Sequence, residues 1–123
     1  MDGQNRKKYI SVGIDPKYVL IAPILGIPKL LKKAGLTVDD IDIFEINEAF
    51  SSSSVAITKT LGLDPDKVNP RGGAVALGHP IGATGARVLV TLAHLMEDKG
   101  ATRGLASLSL GGGEAVCLIV ERD

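Results

Sequence analysis

Aromatic residues are nearly missing from this sequence of 123 residues: they make up 3%, and tryptophan is absent. Aliphatic side chains must therefore do the packing. Cysteine occurs once, at Cys117. That excludes an internal disulfide and a cysteine-rich metal site, and it fits a reducing, cytoplasmic setting. Net charge is missing too, because 14 Lys and Arg balance 14 Asp and Glu. No global field draws the chain to nucleic acid or to an anionic membrane. No apolar run reaches the length of a membrane span, and no signal-peptide pattern opens the sequence. A soluble α/β globule is expected, with neither nucleic acid nor membrane as a partner.

Aliphatics and glycine are what the chain has in quantity. Hydrophobic residues make up 45%, enough for a core in one domain of this size. The glycines concentrate in Gly72-Gly73-Ala74-Val75-Ala76-Leu77-Gly78-His79-Pro80-Ile81-Gly82-Ala83-Thr84-Gly85. Such a stretch lets backbone pass close to something, or turn where a Cβ would clash. His79 sits in its middle, and Pro80 restricts it away from the α region. An apolar helical run, Ala86 to Met96, follows at once. A histidine on an irregular loop just before a helix is a site candidate, as a general base or as a neutral donor to a developing oxyanion. The competing reading is a merely structural or solvated histidine.

Along the chain, Met1 to Lys8 is polar and without periodicity and is expected to be a flexible segment ahead of one domain over residues 9–123. Tyr9 to Ile14 reads as a strand. Ile21 to Leu36 reads as a helix with Pro23 near its start and Gly35 as its cap, although Pro28 suits a first turn better than an interior. Ile41 to Ile46 reads as a strand, central because it is apolar on both faces. Asn47-Glu48-Ala49-Phe50 is expected to open a helix that runs to Leu61 and ends at Gly62. Val68-Asn69 is at most a short edge. The helix after the glycine loop carries Arg87, Thr91, His94 and Asp98 on one polar stripe, so it is expected to be buried on its other sides and capped by Gly100. Leu105 to Leu110 and Ala115 to Val120 are strands joined by Gly111-Gly112-Gly113. The order β-α-β-α-loop-α-β-β predicts an α/β fold with helices on both faces of a mixed, mostly parallel sheet of four to five strands, its last pair antiparallel.

Beside His79, the pair Asn47 and Glu48 admits two readings. One is an N-cap with a first-turn acid; the other is a site at the C-terminal end of a strand, where α/β sheets place their chemistry. Gly78, Gly82 and Gly85 match neither the dinucleotide fingerprint nor a P-loop. Cys117 lies in an alternating apolar strand and reads as a buried small hydrophobe, and His94 reads as a surface histidine. Arg6-Lys7-Lys8 is too short for a nucleic-acid patch.

Three separated segments, Asn47-Glu48-Ala49-Phe50, the glycine loop from Gly72 to Arg87, and Leu108-Ser109-Leu110-Gly111-Gly112-Gly113, together resemble the C-terminal half of a thiolase, an acyl-CoA acyltransferase of lipid metabolism. The likeness runs from about Tyr9 to Arg122. It implies an αβα layered half that packs with an N-terminal half carrying the nucleophilic cysteine, coenzyme A thioesters as substrates, no covalently bound cofactor and no metal. It implies that His79 activates that cysteine and helps to hold the enolate oxygen. Asn47 would hold the water that completes this oxyanion hole, and Gly111 would offer a backbone N–H to a second hole. The family's second cysteine, an acid/base, falls on position 109, where this chain has Ser109. A thiol ionises near pH 8.5 and can be tuned lower, whereas a serine hydroxyl is far less acidic. A lost proton-transfer group typically costs about 10²–10⁴-fold, or roughly 3–5 kcal/mol of barrier. Two functions are thus expected to compete. One is thiolysis of 3-oxoacyl-CoA or the reverse condensation, together with an N-terminal half and not by the chain alone. The other is a non-catalytic acyl-CoA-binding or assembly module. Either way the apolar face of half a thiolase predicts a homo- or hetero-oligomer.

Overall fold

The computed structural model describes residues 8–122. The expected flexible segment Met1 to Lys8 lies, except for Lys8, outside the described residues. The carbonyl of Lys8 accepts from Ile119 N–H at 2.7 Å and its ammonium pairs with Glu121, so the chain is held to the sheet from that point on.

Four strands form one mixed sheet in the order β1-β4-β3-β2: β1 (Tyr9–Gly13), β2 (Ile43–Ile46), β3 (Arg103–Leu110) and β4 (Glu114–Glu121). The alternation of strands and helices holds, but parallel pairs do not dominate. Only β2 and β3 pair in parallel, while β4 is antiparallel to both β3 and β1. The reason lies in the last hairpin. β1, β2 and β3 all run the same way, as helical crossovers require, and β4 folds back between β1 and β3. The hairpin turns over Gly111, Gly112 and Gly113, with Leu110 opposite Glu114. Gly112 and Gly113 have φ of 99° and 93°, and a Cβ on Gly113 would lie 2.3 Å from the Ile14 carbonyl oxygen.

Helix α1 (Pro23–Ala34) begins at Pro23 and ends at Gly35 in the left-handed region, as the sequence suggests. Pro28 lies inside it rather than at its start. Helix α2 (Ser51–Leu61) is shorter than expected: its N-cap position is Phe50, and Asn47 and Glu48 lie outside it in the connection from β2. The N-cap reading of that pair is therefore excluded. Phe50 is exposed, and Ser53 and Ile57 are the buried residues of α2. Within the glycine stretch Ala74–Leu77 makes one helical turn, α3, and α4 (Thr84–Lys99) follows.

The helices lie on opposite faces of the sheet. Ile27, Leu30 and Leu31 of α1 and Ile57 of α2 pack with Phe44, Ile46, Leu105 and Cys117 on one face. Val88, Leu92, Leu95 and Met96 of α4 pack with Ile43 and Ala106 on the other. The two cores make the expected αβα layering. β2 is an edge strand and not a central one, although all four of its residues are buried. Its outer edge is covered by Val68, which bridges to Phe44, and by Asn69, whose side-chain amide bonds both N–H and C=O of Ile46 at 2.8 Å. An edge closed in this way has no free ladder groups there. Helix α4 is buried along one face only: Ala86, Leu89, Val90 and Ala93 are exposed, contrary to the expectation of burial on most sides. Among the described residues no helix is long and apolar enough to cross a membrane.

Candidate active site

Three segments meet at the C-terminal ends of β2 and β3. The connection after β2 carries Asn47, Glu48, Ala49 and Phe50; the glycine stretch carries His79; the end of β3 and its hairpin turn carry Ser109 and Gly111. His79, Ser109 and Gly111 line one open depression of ≈ 430 Å³, together with Leu20, Phe50 and Thr84. These three candidates are brought together. The fourth, Asn47, does not line the depression: it is buried, although Ala49 and Phe50 of the same connection line it. Two smaller depressions, of ≈ 300 Å³ beside Lys17 and Tyr18 and ≈ 340 Å³ beside Glu48 and Lys59, contain no histidine and no cysteine.

The His79 ring is exposed, and its Nδ1 lies 3.3 Å from Thr84 Oγ1. The Thr84 hydroxyl also faces the Pro80 and Ile81 carbonyl oxygens, at 3.2 and 3.4 Å. Carbonyls only accept, so with its single hydrogen directed to one of them the hydroxyl oxygen is free to accept from Nδ1–H. That assigns the lone pair to Nε2, the tautomer a general base requires. Sequence reasoning did not single out Thr84. A threonine five residues after a histidine, at the first position of a helix, is the signal that could have found it.

The glycine stretch is pinned by Glu48. Its Oε2 accepts from Val75 N–H at 3.0 Å, and its Oε1 accepts from Asn69 Nδ2 at 3.2 Å. A Cβ on Gly73 would lie 2.6 Å from the Glu48 carboxyl carbon, so the glycine there makes room for the clasp. Arg71, at the start of the stretch, pairs with Asp98 of α4. Arg87 does not lie with the solvent-facing residues of α4: it is half-buried, and its Nη2 donates to Asn47 Oδ1 at 3.3 Å. His94 is exposed, as expected.

Ser109 stands opposite Ala115 at the end of β3. The Gly111 N–H donates to no backbone carbonyl among the described residues. Cys117 is fully buried, 3.1 Å from Ser107 Oγ, and burial pushes its thiol up to about 11. The single thiol of the chain is thus neither accessible nor ionised near neutrality, and no nucleophilic cysteine comes from this chain. Among the described residues no group of three or more His, Cys, Asp or Glu could hold a metal ion.

The family described as "Thiolase, C-terminal domain" matches residues 4–122. The chain belongs to the thiolase family. Relatives of this thiolase domain include the cytosolic acetyl-CoA acetyltransferase of Mus musculus, 53% identical over 112 residues that cover 91% of this chain and 28% of the relative. The acetyl-CoA acetyltransferase of Escherichia coli (strain K12) is 49% identical over 116 residues, covering 94% and 29%. Among solved structures, a Bacillus anthracis acetyl-CoA acetyltransferase superposes with a TM-score of 0.90 at 47% identity, and human mitochondrial 3-ketoacyl-CoA thiolase with 0.89 at 40%. Each superposition covers 92% of this chain and 29% of the other. The thiolase domain thus spans less than a third of the length of these relatives.

Proposed function

We propose that this chain is the C-terminal half of a thiolase-type acyl-CoA C-acyltransferase, acting on coenzyme A thioesters with an N-terminal half that supplies the nucleophilic cysteine. The observation that carries this reading is the convergence of His79, Ser109 and Gly111 on one depression from two distant parts of the sequence. His79, holding its proton on Nδ1, takes the thiol proton of the partner cysteine at Nε2. The thiolate attacks the acyl carbonyl and expels coenzyme A or an enolate, which leaves an acyl-cysteine. The Gly111 N–H stabilises the oxygen of that thioester, while His79 and a water held by Asn47 stabilise the enolate oxygen. Ser109 occupies the place of the acid/base.

Ser109 itself favours a second reading, in which the domain binds acyl-CoA or assembles with a partner without catalysis. A hydroxyl is a poor base for a carbon acid, and proton transfer is typically worth about 10²–10⁴-fold. The test is reconstitution. The purified chain alone is expected to show no thiolysis of acetoacetyl-CoA. Mixed or fused with the N-terminal half of a close relative it should show a rate, and Ser109→Cys should raise that rate at least about tenfold. No rate from any pairing, with Ser109→Cys equally silent, would leave the binding-module reading in possession.

A further inference from the structure

Among the described residues, three buried side-chain atoms have no hydrogen-bond partner: Glu45 Oε1, Asn47 Nδ2 and Arg87 Nε. They come from one neighbourhood, between the end of β2 and the first turns of α4. Alternation along β2 sets Glu45 on the same face as Ile43, and Ile43 packs with Val88 and Leu92 of α4. Glu45 and Asn47 are 2% and 5% exposed. Arg87 reaches Asn47 from α4 across a 3.3 Å hydrogen bond.

The chemistry of this contact is asymmetric. A guanidinium can only donate, whereas a primary amide accepts at one end and donates at the other. Asn47 must therefore turn its oxygen to Arg87, since the opposite orientation would set N–H against N–H. That leaves the Nδ2 hydrogens, which no group among the described residues takes, as the only thing the amide can offer elsewhere. With the amide reversed it would present an acceptor in place of that donor, and could no longer donate to the water that the proposed mechanism gives it. The Glu45 carboxyl lies in the same neighbourhood, and its Oε1 is likewise without a partner among the described residues.

We propose that Arg87 is a positioning residue that occupies the Asn47 amide oxygen, so that the amide has only its Nδ2 hydrogens left to offer as a donor. The proposal rests on the thiolase reading for its consequence, though not for its geometry. Two measurements separate the two. The first is NMR of the 123-residue chain. The Asn47 side-chain amide should give one sharp pair of signals, retained in Arg87→Lys, whose ammonium also only donates. The pair should be doubled or broadened in Arg87→Met, which keeps the stem but loses the donor. Should Arg87→Met fail to fold, Arg87→Gln carries the same test, because its amide accepts as well as donates. The second is kinetics of the reconstituted enzyme. Arg87→Met should lower kcat by about 10–100-fold, the usual worth of a hydrogen bond from a charged group. KM should stay within about twofold, and Arg87→Lys should recover most of the rate. Unchanged Asn47 signals in the Met or Gln variant, or equal loss of kcat in Lys and Met, would overturn the proposal. No rate from any pairing, with Ser109→Cys equally silent, would refute the catalytic reading and leave the NMR result to decide this one.

Discussion

A single carboxyl gives the molecule a pH dependence that can be measured without knowing its reaction. Burial pushes Glu45 up to about 7, with the Arg87 charge opposing the shift and Glu48 adding to it. An unfolded carboxyl titrates near 4.5. Between these two values the folded protein keeps a proton that the unfolded chain has lost, so this residue's contribution to stability falls as pH rises through the window and is fully lost above pH 7. A shift of this size corresponds to about 3 kcal/mol. Glu45→Gln keeps the shape and removes the titration. The variant should match the wild type in urea unfolding near pH 4 and be the more stable of the two at pH 8. A constant difference between the proteins across that range would refute the assignment. The neighbouring Asn47 illustrates what a sequence conveys at this scale. Its candidacy was legible, because it follows a strand in an α/β pattern. Its burial and its tie to Arg87 were not, because 40 residues separate the two partners.

At the scale of elements, helix ends marked by glycine were legible: Gly35, Gly62 and Gly100 all cap in the left-handed region. The start of α2 was not. Asn47 and Glu48 have the residue types of an N-cap and a first turn, but their side chains are engaged by Arg87 and by Val75 N–H, and the helix starts without a side-chain cap. Tertiary partners outcompeted the local ones. β2 misled for a related reason. Its burial on both faces suggested a central strand, whereas Val68 and the Asn69 amide cover its outer edge. The Glu48 clasp makes the glycine stretch an ordered element, and that can be tested. Gly73→Ala would force the Glu48 carboxyl from its place, at a cost of about 1–3 kcal/mol for overpacking. Amide exchange from Val75 to His79 should then speed up while that of β3 stays slow. Unaltered protection around Val75 would mean that Glu48 does not hold the loop.

At the scale of the molecule, α4 covers the sheet with one face and leaves Ala86, Leu89, Val90 and Ala93 open on another, while Val75, Leu77 and Ile81 of the glycine stretch are exposed as well. Apolar side chains at spacings of three and four on an open helix face are the pattern of a packing surface. The isolated chain should therefore self-associate at high concentration, and Leu89→Glu with Val90→Lys should return it to a monomer in light scattering. A wild-type chain that stays monodisperse and monomeric would argue against this surface as an interface.

The place of β4 has a consequence for the order in which the domain can be made. Among the described residues β1 has no strand neighbour except β4, and Tyr9 pairs with Leu118. β1 therefore waits, its edge unsatisfied, until β4 has followed it along the sequence. Contacts of such long sequence separation close late. Closure of this sheet at β1 is therefore a late step of folding, set by the separation of its two partners along the sequence.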